Sequence, residues 1–255
     1  MPFQKVTSEK LAQAVVRQIE TMVLHGILRP GDRLPPEREL SERLGVSRPS
    51  LREAVAELAA RGLLESRAGA GVYVADVLGN AFSPALTRLF ATHDDALLDY
   101  IAFRRDIEGL AAARAARHGS DTDLALVHAL MAKMEAAHGK RDPSEEAALD
   151  AAFHMAIVEA SHNVIMLHMM RSMMDLLREG VFFNRNAMFR QRTTRDQLLD
   201  QHRAIDEALR ARDPDAARRA VEAHLDFVRA RVADQRAAEE HEATARLRLE
   251  QEAAR

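Results

Sequence analysis

Asp150 and His154 stand four residues apart, a spacing that sets an oxygen donor and a nitrogen donor on one face of a helix. Phe153 and Ile157 fall on the same side, so that face points into a core. His202 interrupts the stripe Leu198, Ile205, Leu209, and His224 stands among Val221, Leu225 and Val228. A buried imidazole needs a hydrogen-bond partner and a buried carboxylate needs a cation. Taken one at a time, these residues read as satisfied core histidines and a paired aspartate. Taken together, four such groups on three helices are satisfied at once by one divalent transition ion, for which an Asp/His/His/His set is well suited. Zn²⁺ is the expected occupant on affinity grounds, with Ni²⁺ and Mn²⁺ as alternatives. His162 and His168 are reserve donors, and with no cysteine in the chain neither a disulfide nor a thiolate site is available.

Arg104 and Glu108 carry a second chemistry. The stripe Leu97, Ile101, Arg104, Glu108, Ala111, Ala115 is otherwise apolar, so this pair also points inward. It reads either as an internal salt bridge or as an arginine waiting for an anionic ligand.

The elements that must position these residues are helices. Beyond residue 80 the expected helices are Ala81–Thr92, Asp95–His118, Asp121–His138, Glu145–Ala160, Val164–Glu179, Thr194–Ala211 and Asp215–Gln235. Pro84 lies in the first turn of the first, Ser120 with Asp123 makes a near capping box, and Asp213-Pro214 caps the last. The expectation is an antiparallel all-α bundle of about seven helices, with no convincing strand. Met166, Met169, Met170, Met173 and Met174 form a stripe that reads as core or subunit interface, or as an adaptable groove.

The first part of the chain is built differently. Leu11, Val15, Ile19 and Met22 mark a helix over 7–24 behind Thr7 or Ser8. Pro35-Pro36 and Glu37 start a short helix that Gly45 ends, and Ser47 caps a second, with Leu51, Val55 and Leu58, closed by Gly62. Two short helices joined this way are a helix-turn-helix, whose second helix can enter a DNA major groove. Arg48 and Arg52 lie in its first turns, off the apolar stripe, where base and phosphate contacts are made. Leu63–Ser66 and Val72–Ala75 read as strands of a hairpin wing, tipped by Ala68-Gly69-Ala70-Gly71 with Arg67 beside the tip.

Four elements in order, L-P-P-E-R-E-L-S-E, G-V-S-R-P-S-L-R-E-A, the L-x-x-x-G-L-L-E segment and R-A-G-A-G-V-Y-V, resemble the GntR transcriptional regulators over about residues 7 to 76. The resemblance implies that Arg38 and Arg48 read guanines, that Ser47 and Arg52 hold phosphates, and that the tip at Ala68 and Gly69 enters the minor groove. The set expected at DNA is Arg38, Ser47, Ser50, Arg48, Arg52, Arg67 and Gly69. F-R-R-D-I-E-G-L-A-A, D-A-A-F-H-M-A-I-V-E-A-S-H-N, Q-H-R-A-I-D-E-A-L-R-A-R-D-P-D-A-A and A-V-E-A-H-L resemble the FCD effector domain of the FadR-type subfamily, over about 84–232. That resemblance implies Asp150, His154, His202 and His224 as metal ligands and Arg104 at the effector cavity. It is greatest to pyruvate- and lactate-responsive members.

The expected domains are a winged helix-turn-helix over 1–76, a linker at 77–80, a helical metal- and effector-binding domain over 81–235 and a charged tail at 236–255, either a solvated helix extension or a frayed end. Net charge does not announce a DNA binder: residues 1–76 hold 11 Lys/Arg against 10 Asp/Glu, so the argument rests on where the arginines sit. No apolar run suits a membrane span and no signal peptide is evident, so the expected location is the cytoplasm. The expected function is a homodimeric repressor that reads an inverted repeat in double-stranded DNA and senses a small carboxylate such as pyruvate, lactate or glycolate. The rival is a metal-dependent enzyme on a small organic acid, with the same four ligands and Glu108 as base.

Overall fold

The structure is a computed structural model that describes residues 8–76, 85–86, 89–90, 93–140, 142, 144–178 and 192–253. The expected linker at 77–80, Thr7 and Pro84 lie outside them, as does Glu179. Of the expected helix at 81–92, only 85–86 and 89–90 are described, and these are helical. The chain divides into two compact units, Met1–Gly79 and Asn80–Arg255.

In the first unit α1 (Ser8–Leu24) packs on α3 (Arg48–Ala60), with α2 (Glu37–Leu44) beside it and a hairpin of β1 (Leu64–Arg67) and β2 (Gly71–Val74) behind. The buried face of α1 is Ala12, Val15, Val16, Ile19 and Val23, rotated from the expected stripe, so that Leu11 is left 40% exposed. Ala12 and Val16, four apart on one face, are buried in place of Leu11 and Met22. Gly45 ends α2 in the left-handed conformation at φ 64°, where an L side chain is disfavoured. Ser47 then caps α3, its hydroxyl accepting from Ser50 N–H at 3.3 Å. The strands pair antiparallel with Leu64 opposite Val74 and Arg67 opposite Gly71. Both lie one residue from the expected bounds, because Gly71, at φ 112°, still pairs and belongs to a strand rather than to the tip.

The second unit holds six helices among the described residues: α4 (Asp94–His118), α5 (Asp121–His138), α6 (Ser144–Ala160), α7 (Val164–Arg178), α8 (Arg192–Arg210) and α9 (Pro214–Ala253). Ser120 and Asp123 form a complete capping box at the start of α5. Asp213 accepts from Asp215 and Ala216 N–H at the start of α9, with Pro214 in its first turn. Past residue 235, where the sequence leaves a helix extension or a frayed tail open, α9 continues as one exposed helix to Ala253. Nothing in the Ala-, Glu- and Arg-rich sequence there stops a helix. Met170 and Met174 are core residues, whereas Met169 is 47% exposed.

The middle of this unit is where α4, α6, α8 and α9 meet. The α4 stripe is buried throughout, Arg104 and Glu108 included. Phe153 is fully buried and stands edge-on to the rings of His154 and His202, with centroids 5.9 and 5.4 Å apart. It is both core and wall of the polar cluster. Phe153→Ala is expected to cost about 3–5 kcal/mol, read as a lower urea midpoint with an unchanged m-value.

Candidate functional site

The helix spacing brings the four expected ligands together. Asp150, His154, His202 and His224 are all buried, and one ligand atom from each lies within 4.8 Å of all the others. His202 Nε2 is 3.0 Å from Asp150 Oδ1 and 3.3 Å from His154 Nε2. His154 Nε2 is 3.7 Å from the same carboxylate oxygen. The ring of His224 lies 4.5 Å from that of His202 and 5.1 Å from that of His154, centroid to centroid. Donors about 2.0–2.1 Å from a common ion lie roughly 3.0–3.4 Å apart, so this set fits a single transition ion. His162 is not part of it: half exposed, it pairs instead with Asp123 Oδ2 at 2.9 Å.

The atoms behind the cluster aim its donors. Gln201 Oε1 lies 3.0 Å from His224 Nδ1, which can donate to it and so leave Nε2 as the donor to an ion. Glu108 Oε2 lies 2.7 Å from His154 Nδ1, close enough to orient that ring by charge although the pair is off the line of a hydrogen bond. Glu108 Oε1 accepts from Arg104 Nε at 2.5 Å, while Arg104 Nη2 is buried with no hydrogen-bond partner among the described residues. Gln201 escaped the sequence reading because a polar residue beside His202 carries no periodic signal.

Protonation follows from these contacts. Burial pushes the pKa of His224 well below its ordinary value, helped by His202 and His154 nearby. Burial also lowers that of His154, against the pull of Glu108. For Glu108 burial acts upward, but Arg104 and His154 outweigh it and hold the carboxyl at about 2. Both histidines are therefore neutral, as metal ligation requires, and Glu108 is a weak base.

The DNA-facing candidates lie in the first unit. Arg48 Nε and Arg52 Nε donate to the two oxygens of one carboxylate, Glu37, at 2.7 and 2.8 Å. Arg38 pairs with Glu42, and Arg67 pairs with Glu65 and stacks on Tyr73, its guanidinium carbon 4.3 Å from the ring centre. All four arginines are exposed, as are Ser47 and Gly69. Ser50 departs from expectation: it is buried, and its hydroxyl meets Ser47 Oγ at 2.9 Å, so its place is in the helix cap and not on a surface. Glu37, read from sequence only as part of a helix start, proves to pair with two arginines at once.

Residues 11–74 match the bacterial regulatory proteins of the gntR family, and residues 99–227 match the FCD domain. The chain belongs to the GntR family. It is a transcriptional regulator of the FadR type, with a DNA-binding winged helix-turn-helix and an FCD domain. The regulator is 34% identical over 227 residues to the Glc operon transcriptional activator of Escherichia coli, covering 88% of this chain and 89% of that one. It is 36% identical over 228 residues to an Escherichia coli regulatory protein named for the L-lactate dehydrogenase operon, covering 88% and 86%. Among solved structures it matches Streptococcus agalactiae GntR with a TM-score of 0.51 and 27% identity, over 86% of this chain and 98% of that one. These relatives are regulators, and the enzyme reading with Glu108 as general base falls; the low pKa of that carboxyl agrees. No helix among the described residues is long and apolar enough to cross a membrane.

The sign of a pH effect follows from the two histidines. Unfolded, each takes up a proton near its ordinary value of 6.5; folded and metal-free, each resists it. The unfolded state therefore binds more protons as pH falls below about 6.5, and their contribution to stability is lost there. Glu108 adds nothing in that window, since its carboxyl titrates below 4.5, toward 2. The melting temperature of metal-free regulator is expected to fall between about pH 7 and pH 5.5. A flat or rising profile would contradict the neutral, buried state of these rings.

Proposed function

We propose that the regulator is a cytoplasmic homodimeric repressor whose helical unit holds one divalent ion and senses a small 2-hydroxy or 2-keto acid. The observation that carries this reading is the charge of the buried cluster. With His154 and His224 neutral, the one guanidinium of Arg104 faces two carboxylates, Glu108 and Asp150, in a low-dielectric core, an excess of acidic side chains over basic ones. A divalent ion reverses that excess, and one monocarboxylate offsets the positive charge that remains. Asp150, His154, His202 and His224 would hold the ion, with Zn²⁺ expected and Ni²⁺ or Mn²⁺ as alternatives. When bound, the ion supplies a positive charge and open positions for oxygen donors. Arg104, whose Nη2 has no hydrogen-bond partner among the described residues, is the group for the ligand's carboxylate, and Glu108 stands against both Arg104 and His154. Pyruvate, lactate and glycolate carry a carboxylate beside a second oxygen and suit this pair of anchors. The relatives named for the Glc and L-lactate dehydrogenase operons support that class of ligand.

At DNA, Arg38 and Arg48 are the base-reading residues, Ser47 and Arg52 hold phosphates, and Arg67 with Gly69 forms the wing contact. One unit covers a short half-site, so two copies on an inverted repeat are the economical geometry.

Metal-loaded regulator with pyruvate, lactate or glycolate at a hundredfold excess over Kd is expected to gain about 2.7 kcal/mol, seen as a rise in melting temperature. Arg104→Ala is expected to abolish that rise and keep the metal, while His154→Ala loses both. No shift with any small acid would sink the effector reading. For DNA, Arg48→Ala should cost about 1–3 kcal/mol and relax preference at one base pair. Arg52→Ala should weaken all sequences alike and flatten the salt dependence. Equal loss of discrimination in both variants contradicts the assignment.

A further inference from the structure

An imidazole that offers one nitrogen to an ion must carry its proton on the other, and a partner for that N–H fixes the tautomer and the ring's orientation. Gln201 does this for His224, and the Glu108 carboxylate stands 2.7 Å from His154 Nδ1 as an ion-pair contact, off the line of a hydrogen bond. His202 is fully buried, and its Nδ1 has no hydrogen-bond partner among the described residues. One turn further along α8 stands Asp206, 5% exposed, whose Oδ1 is likewise buried and unpartnered. Its other oxygen, Oδ2, meets Nδ1 of the half-exposed His128 on α5 at 2.9 Å. Residues four apart share a helix face, and each side chain tilts toward the helix N-terminus, so Asp206 leans back over His202. Two unpartnered polar atoms on one buried face, one a potential donor and the other an acceptor, are a pair that a single water can satisfy together.

We infer that Asp206 is the positioning residue of His202, acting through one bridging water, with His128 anchoring its carboxylate from the surface. The inference rests on the metal reading above. Each of the three histidines then has its own support: a carboxylate against His154, an amide behind His224, and a carboxylate one water away behind His202. The third support reaches the protein surface. It ties the ion's surroundings in the bundle to a residue on α5, a helix that contributes no ligand.

The test is the Zn²⁺ affinity of the full-length regulator, measured by competition with a chromophoric chelator, for wild type, Asp206→Ala, Asp206→Asn and His128→Ala. Asp206→Ala is expected to weaken binding about ten- to hundredfold. Asp206→Asn should restore it to within roughly threefold, since its amide oxygen accepts from the same water. His128→Ala should fall between the two. The visible absorption bands of Co²⁺-loaded protein should shift in Asp206→Ala and return in Asp206→Asn. A purely structural role would lower the melting temperature of metal-free protein and leave the affinity of the folded protein unchanged. Wild-type affinity in Asp206→Ala overturns the inference, as does equal weakening by Asn and Ala. If Asp206→Ala does not fold, His128→Ala decides alone, and wild-type affinity there overturns it. Absence of Zn²⁺ binding by wild type would instead bring down the metal reading and this inference with it.

Discussion

Ionisable groups inside a helical core must satisfy one another, because each charge left alone there is far more costly than in water. The second unit is arranged around that constraint. Arg104, Glu108, Asp150, His154, His202 and His224 come from four helices and are all buried. Removing one partner would strand the others, so the packing of α4, α6, α8 and α9 is tied to a single polar constellation. Phe153 seals it on one side with apolar surface and lowers the local dielectric in which its charges interact.

The same constraint explains why so much of the site was legible in the sequence. A polar residue in an otherwise apolar helical stripe is conspicuous, and Arg104, Glu108, His202 and His224 are each of that kind. Residues that serve the cluster from its edge are not. Gln201 and Asp206 flank a buried histidine on α8, and nothing in their spacing separates them from solvated side chains until the helix is docked. Boundaries were less legible for a related reason. Gly71 reads as a turn residue, yet pairing with Arg67 placed it in the strand. The end of α9 carries no apolar stripe, and only the absence of a breaker lets it run to Ala253.

In the first unit the cap and turn chemistry was plain in the sequence, since Gly45, Ser47 and the two prolines act locally. What was hidden was the pairing of charges. Glu37 sits eleven residues before Arg48 and fifteen before Arg52, and only the turn between α2 and α3 brings the three together. Ser50 illustrates the converse: a hydroxyl at the start of a recognition helix looks available, and the cap geometry buries it.

The carboxylates beside the arginines proposed to meet DNA bear on how the regulator divides its time in a genome. Any stretch of duplex presents phosphates, and a strongly cationic domain would be held by all of them, with roughly 10⁶–10⁹ competing sites against one operator. Here Glu37, Glu42 and Glu65 already occupy Arg48, Arg52, Arg38 and Arg67 in the free protein. On the proposed assignment of these arginines to DNA, the duplex must displace an internal partner at each, and random sequence, which offers phosphates without the matching base edges, returns less for that exchange. On that assignment, near-neutrality lowers the background against which the operator is found, and selectivity is gained from weakened attraction to every other site.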